Sequence, residues 1–415
     1  MEIKDTEIGR MPLDWDVKTV AEVVEYVTDY VANGSFKSLA DNVKYYSEKN
    51  FAVLIRLKDY NDNFNEAGFV YIDEHGYNFL EKSKLFGGEV IISNVGDVGT
   101  VFKCPFLGCP MSLGPNSVTV KFKQSDDFYY YWFKSHYGQK AIKSIITGSA
   151  QPKFNKTNFK QLKVPVPPIH IQERIGKILS CFDEKISLNK QTISILSETI
   201  STIFKGFVPS YSKTKVSIND LILDSCTGAD AIQKAPIVDR DTGIRCVRVG
   251  DMTNNRPVYE WGFTDITQEN FERYKLIKND LVVTRTATLG ISRLIDEDLE
   301  AVLNNGLIRL RPNTNKIIPL ILFQQLQTTD FKRYIERINS ESSTRPNMKM
   351  NYLLSYEFLC FDKRDQQKLF ELINPLYCQV NNLFDENRSI SLLRDSVCSK
   401  LMSGELDVDK IKIED

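Results

Sequence analysis

The sequence predicts an α+β protein in which two mixed, strand-rich domains are separated by two long coiled-coil helices. Three observations predict it. The chain is written twice, each copy changes abruptly from short β-branched runs to a helical period, and each helical stretch is far longer than an ordinary globular helix. With 415 residues, 42% of them apolar and 26% charged, there is material for more than one core of ordinary composition.

The duplication rests on five collinear matches. Residues 51–59 (FAVLIRLKD) align with 243–251 (GIRCVRVGD), placing Arg56 over Arg248 and Asp59 over Asp251 at a displacement of 192. Residues 86–99 align with 277–290 at 191, preserving an acid, an apolar triplet and the final glycine. Residues 149–152 align with 343–346 and 172–175 with 366–369, both at 194, and 193–200 align with 390–397 at 197.

In the first domain, residues 1–165, runs such as 90–92 (VII) and 118–120 (VTV) alternate with Gly, Asn and Pro turns, as strands do. The stretch 164–168 (VPVPP) ends them, because proline refuses both ladder and helix interior. A helix then occupies 166–208, with apolar residues at 171, 175, 178, 182, 186, 193, 196, 200, 203 and 207. The second domain takes 209–361, and 362–415 holds the second helix and a tail, with apolar residues at 369, 373, 376, 380, 383, 390, 393, 397 and 401. At ~1.5 Å per residue each rod is roughly 55 Å long, and so narrow a stripe needs a partner helix. The predicted seam comprises Ile175, Phe182, Asn189, Leu196 and Ile200 on the first rod and Leu369, Leu376, Leu383, Asn387 and Val397 on the second. Asn189 and Asn387 are either register locks or solvated positions. Asp362 is the expected N-cap of the second rod, and the aromatic run 128–133 (FYYYWF) is expected to be core.

Several chemistries are excluded. His75, His136 and His170 have no mutual ligand spacing, Cys104 and Cys109 lack a second pair, and no P-loop, dinucleotide fingerprint or nucleophile elbow occurs. Residues 374–377 (NPLY) imitate the base-holding loop of amino-methyltransferases, but the second proline is missing and the stretch lies in an apolar heptad. No apolar run reaches membrane-span length, the N-terminus lacks a secretory pattern, and eight scattered cysteines suit a reducing compartment, so a cytoplasmic protein is expected.

Both helices follow a mixed domain. The first opens with Pro-Pro-Ile-His-Ile-Gln-Glu-Arg-Ile (167–175), and the second with a degenerate copy at 364–369 that has no proline pair before Gln366. This order resembles the specificity subunit of type I restriction-modification systems, and residues 399–406 (SKLMSGEL) are similar to that family's closing helix end. The resemblance covers essentially the whole chain. It implies two target-recognition domains that each read one half-site of a bipartite double-stranded DNA target. It further implies antiparallel helices that set the spacer and dock two methyltransferase subunits, with restriction/translocase subunits completing the complex. S-adenosylmethionine, ATP and Mg are expected on those partners, this chain being non-catalytic and without a cofactor. The rival readings are a catalytic adenine DNA methyltransferase, which S-adenosylmethionine binding by the isolated chain would reveal, and a coiled-coil scaffold without DNA contact.

A formal net charge of -1 does not oppose DNA binding, because charge is segregated. Residues 1–99 hold 10 basic and 18 acidic side chains, whereas 100–163 hold ten lysines against Asp126 and Asp127. The second domain's basic material is Arg285, Arg293, Arg309, Arg311, Lys332, Arg333, Arg337, Arg345 and Lys349. Residues shared by the copies, such as Arg56 with Arg248 and Pro152 with Pro346, should serve the fold or the phosphate backbone. Residues that differ, such as Gln151 opposite Arg345 and Asn94 opposite Arg285, should carry sequence choice. The DNA-binding candidates are Asn94, Lys143, Gln151, Lys153 and Lys156 in the first domain and Arg285, Arg345, Asn347 and Lys349 in the second.

Overall fold

A computed structural model describes residues 2–207, 213–230, 233–340 and 347–411. It divides into two compact units, Met1–Asn189 with Glu386–Asp415, and Lys190–Asp385. The division cuts the central helix, Ile169–Phe207, and the C-terminal helix, Lys363–Met402, near their middles, so each unit holds half of both.

Unit 1 carries an antiparallel sheet in the order Val24–Asp29, Ser117–Phe122, Val90–Ser93, Val101–Lys103. A second sheet orders Tyr71–Ile72, Ala52–Ile55, Met111–Leu113 and Lys84–Leu85, with Ala52–Ile55 parallel to Met111–Leu113. The strands Val90–Ser93 and Ala52–Ile55 are buried on both faces, which is why they read as continuous apolar runs rather than alternating ones. The run 128–133 lies on the helix Asp126–Lys134 with every side chain buried, as expected of core.

Unit 2 repeats this plan. Its antiparallel sheet runs Ile222–Thr227, Leu307–Pro312, Leu281–Thr284, Ser292–Leu294, and its second sheet again contains a parallel pair, Arg245–Val247 with Ala301–Leu303. Local devices repeat too. Thr19 with Glu22 and Ser217 with Asp220 form matching capping boxes at the first short helix of each domain. Buried Asp59 and Asp251 accept the backbone N–H of Arg56 (2.8 Å) and Arg248 (2.9 Å), so this shared pair holds a turn. Buried Gln172 and Gln366 each donate back to the carbonyl five residues earlier, Pro167 (2.8 Å) and Phe361 (3.0 Å), tying each long helix to its preceding strand. Asp362 caps the second long helix by accepting from the Asp365 N–H at 2.8 Å.

Within each unit the two helix halves run antiparallel. In unit 1, Ile175, Ile178 and Leu179 share a core with Cys398, Leu401 and Met402; in unit 2, Ile193, Ile200 and Phe204 share one with Leu369, Ile373 and Val380. Phe182 and Val397 pack at the edge of the first core, and Leu196, Leu376 and Leu383 at the edge of the second. Leu393, on the expected stripe, is instead 53% exposed. Asn189 is 2% exposed and donates to Glu386 Oε2 across the seam at 2.7 Å, so its partner is a carboxylate. Asn387 is half-buried. Nearby, Asp183 accepts from the Tyr131 hydroxyl at 2.8 Å and from Arg394 at 2.5 Å, joining the first domain's aromatic helix to both long helices. The imitation loop 374–377 lies inside the C-terminal helix, with the Tyr377 ring 5.7 Å from Phe323 and burial pushing its phenol up to about 12.

Candidate nucleic-acid interface

The sequence candidates of the first domain converge on two adjoining loops. The strand Val90–Ser93 runs into the loop 94–99, and the Ser93 and Gly99 backbones close its neck, with Gly99 N–H donating to Ser93 O at 3.0 Å. The Ser93 hydroxyl accepts the Thr100 N–H at 3.0 Å. Against this loop lies 147–153. Thr147 and Lys153 exchange backbone hydrogen bonds of 2.8 and 2.9 Å, Gly96 N–H donates to Pro152 O at 3.1 Å, and Phe154 N–H donates to Asn94 O at 3.1 Å. The exposed side chains of Gln151 and Lys153 therefore stand beside the loop 94–99, and exposed Lys143 occupies the last turn of the helix leading into 147–153.

The second domain builds the same arrangement. Gly290 N–H donates to Thr284 O at 3.0 Å, and the Thr284 hydroxyl accepts the Ile291 N–H at 2.9 Å. Met348 N–H donates to Arg285 O at 2.8 Å, as Phe154 does to Asn94, and Thr286 bridges Asn347 as Val95 bridges Lys153. Asn347 is exposed, as is Lys349 at the N-cap of the short helix Met350–Leu354. Arg345 lies outside the described residues.

Four candidates, Asn94, Arg285, Asn347 and Lys156, are partly engaged by the protein itself. Asn94 and Arg285 both reach the same carbonyl of the partner loop: Asn94 Nδ2 donates to Phe154 O at 3.4 Å, and Arg285 Nε to Met348 O at 3.1 Å. Arg285 also donates to Asn305 O at 3.2 Å and to Asn347 Oδ1 at 2.9 Å, so this guanidinium frames the loops. Lys156 is half-buried, with Nζ 2.7 Å from Asp29. Two arginines counted as surface charge are structural: Arg309 is buried against Asp224 and the carbonyls of Arg273 and Lys275, and Arg311 makes a two-pronged contact of 2.8 and 2.9 Å with fully buried Asp280. Its hydrogen bond to Asp280, opposed by burial, holds the Arg311 guanidinium above its ordinary range.

Sequence reasoning missed the supports of these loops. Gln139 Nε2 donates to Gly99 O and Phe133 O, both at 2.8 Å, and fixes the loop 94–99 from behind. Asn116, at φ 70°, offers its carbonyl to Asn94 N–H at 3.0 Å, and the turn 304–306 does likewise for Arg285 N–H at 2.9 Å. The Pro-Asn and Asn-Asn-Gly turns were the available signal. Among the described residues no group of three His, Cys, Asp or Glu is placed to hold a metal ion, and no helix is long and apolar enough to cross a membrane.

A loop pair presented twice, each time on a mixed domain that feeds a long helix, defines a duplicated two-domain protein. The chain belongs to the family described as the type I restriction modification DNA specificity domain, which matches residues 12–198 and again 203–383. It is 21% identical over 443 residues to the type I restriction enzyme MjaIX specificity subunit of Methanocaldococcus jannaschii, covering 99% of this chain and 98% of that one. The MjaVIII specificity subunit of the same organism is 21% identical over 349 residues, 77% of this chain and 78% of that protein. The fold is similar to the crystal structure of the type I restriction-modification S subunit from M. genitalium, with a TM-score of 0.54, 14% identity and coverage of 93% of this chain and 96% of that one.

Proposed function

We propose that this chain selects the DNA target of a type I restriction-modification complex by reading one half-site with each domain. The observation that carries this reading is the loop pair, 94–99 with 147–153 and 285–290 with 347–349, held by matching hydrogen bonds in both copies. Lys143, Lys153 and Lys349 supply phosphate contacts, and Gln151, Asn347 and Arg345 read bases. Asn94 and Arg285 set the loops' geometry. The chain itself performs no chemistry. Two methyltransferase subunits dock along the long helices, restriction/translocase subunits join them, and those partners bring S-adenosylmethionine, ATP and Mg. Helix length sets the unread gap between half-sites, and the complex works in the cytoplasm.

Methylation sequencing of a host expressing the chain with its methyltransferase tests this. The expected result is one bipartite motif, of which exchanging residues 147–153 alters only one half. A motif with no interruption, or one altered in both halves by that exchange, overturns the reading.

A further inference from the structure

The two tips of the repeated loops differ at one position of unusual backbone. Gly96 has φ 82°, and its counterpart in the second copy is Ala287 at φ 60°. This left-handed region suits glycine and is rarely entered by an L side chain. The same loop does use glycine where packing requires it: Gly290 has φ 82°, and a Cβ there would meet Ile335 Cγ1 at 2.9 Å. At Gly96 an added Cβ would find nothing within 4 Å. The second domain therefore keeps an outward methyl group where glycine would be the relaxed choice. The closed neck at Thr284 and Gly290 and the Arg285 clamp on Asn347 hold it there. Ala287 is exposed and sits between Thr286 and Thr288, so the tip presents methyl groups where the first domain presents Gly96 and the carboxylate of Asp97.

We infer that Ala287 is a specificity-determining residue of the second domain, its methyl group making an apolar contact with the 5-methyl of a thymine in the major groove. An alanine methyl is among the groups that recognise thymine in this way. The assignment rests on the DNA-reading function proposed above.

The test uses the full chain in complex with its methyltransferase. Once sequencing has defined the motif, duplexes are prepared with each thymine of the second half-site replaced in turn by uracil, which lacks only the 5-methyl. At one such position the parent complex should lose about fourfold in affinity, the worth of one buried methyl-sized group. Ala287→Gly should bind the thymine duplex about fourfold more weakly than the parent does and show no further loss with uracil. Its melting midpoint should equal or exceed the parent's, because the substitution relaxes the backbone. Gly96→Ala, which adds a methyl in open space, should change preference in the first half-site only. An Ala287→Gly complex that stays selective and responds to uracil as the parent does overturns the assignment alone. A parent complex without sequence-selective binding overturns the DNA reading beneath it.

Discussion

Replacing Arg394 by Met should destabilise unit 1 by about 2 kcal/mol. Arg394 is 18% and Asp183 29% exposed as side chains, so the pair lies between two known limits. Exposed ion pairs contribute about 0.2–1 kcal/mol, while breaking a fully buried one costs about 3–5 kcal/mol. The cost is moderated because the Tyr131 hydroxyl still donates to Asp183 at 2.8 Å after the guanidinium has gone. A loss of that size lowers the folded-to-unfolded ratio roughly 30-fold. The assay is urea unfolding of the full chain in a Trp261→Phe background, leaving Trp15 and Trp132, both of unit 1, as the fluorescent reporters. The midpoint should fall with little change in slope. Adding Asp183→Asn should recover part of the loss, because the carboxylate left without its cation disappears. A midpoint equal to the parent's, or a double variant no better than Arg394→Met alone, would refute the reasoning.

Lys153→Ala should weaken binding to every sequence and flatten the slope of log affinity against log salt by about 0.9, whereas Lys156→Ala, whose charge faces Asp29 at 2.7 Å, should leave that slope unchanged; titration of nonspecific duplex at several salt concentrations separates the two. Inserting one heptad between Asn189 and Lys190 and another between Asp385 and Glu386 keeps the seam of each unit intact and adds about 10 Å of rise, so the methylated motif should retain both half-sites with a gap longer by about three base pairs. An unchanged gap on methylation sequencing would remove the helices from spacer control. Glu22 and Asp220 are held below their ordinary values of 4.5 and 3.8 by hydrogen bonds from Thr19 and Ser217. Their contribution is thus present above those ordinary values and lost as pH falls through the lower folded ones. Glu22→Gln with Asp220→Asn should flatten the acid limb of stability against pH, as read by urea midpoints.

Much of this architecture was legible because it rests on period and repetition. The helical stripe from Ile171 to Phe207 and the doubled Gln172/Gln366 follow from local pattern, and tertiary packing had only to accept them. The parallel pair in each second sheet was not legible, since Ala52–Ile55 and Met111–Leu113 are far apart in sequence and a short apolar run does not name its neighbour. Charge proved a poor guide to exposure in the second domain, where Arg309 and Arg311 end on Asp224 and Asp280. Composition counts a guanidinium without saying where it points. Asn94 and Arg285 differ between copies, yet both reach the same partner carbonyl, because either side chain can donate to it. The Asn189 partner escaped prediction for a related reason: the seam places Glu386 opposite it, one position before Asn387, and a period does not name the side chain across it.

The interruption of unit 1 by unit 2 has a consequence for synthesis. Cys398, Leu401 and Met402 belong to the core that also holds Trp15 and the run 128–133, so that core is incomplete until they leave the ribosome. They follow Asn189 by roughly 200 residues, which at about 5–20 residues per second is a delay of tens of seconds. Throughout it, the apolar face around Ile175, Ile178 and Leu179 awaits its covering strip, while unit 2 is an unbroken segment and reaches its own last residue sooner. The half of the molecule made first is therefore the half whose core closes last, and that apolar face is open to aggregation in the interval.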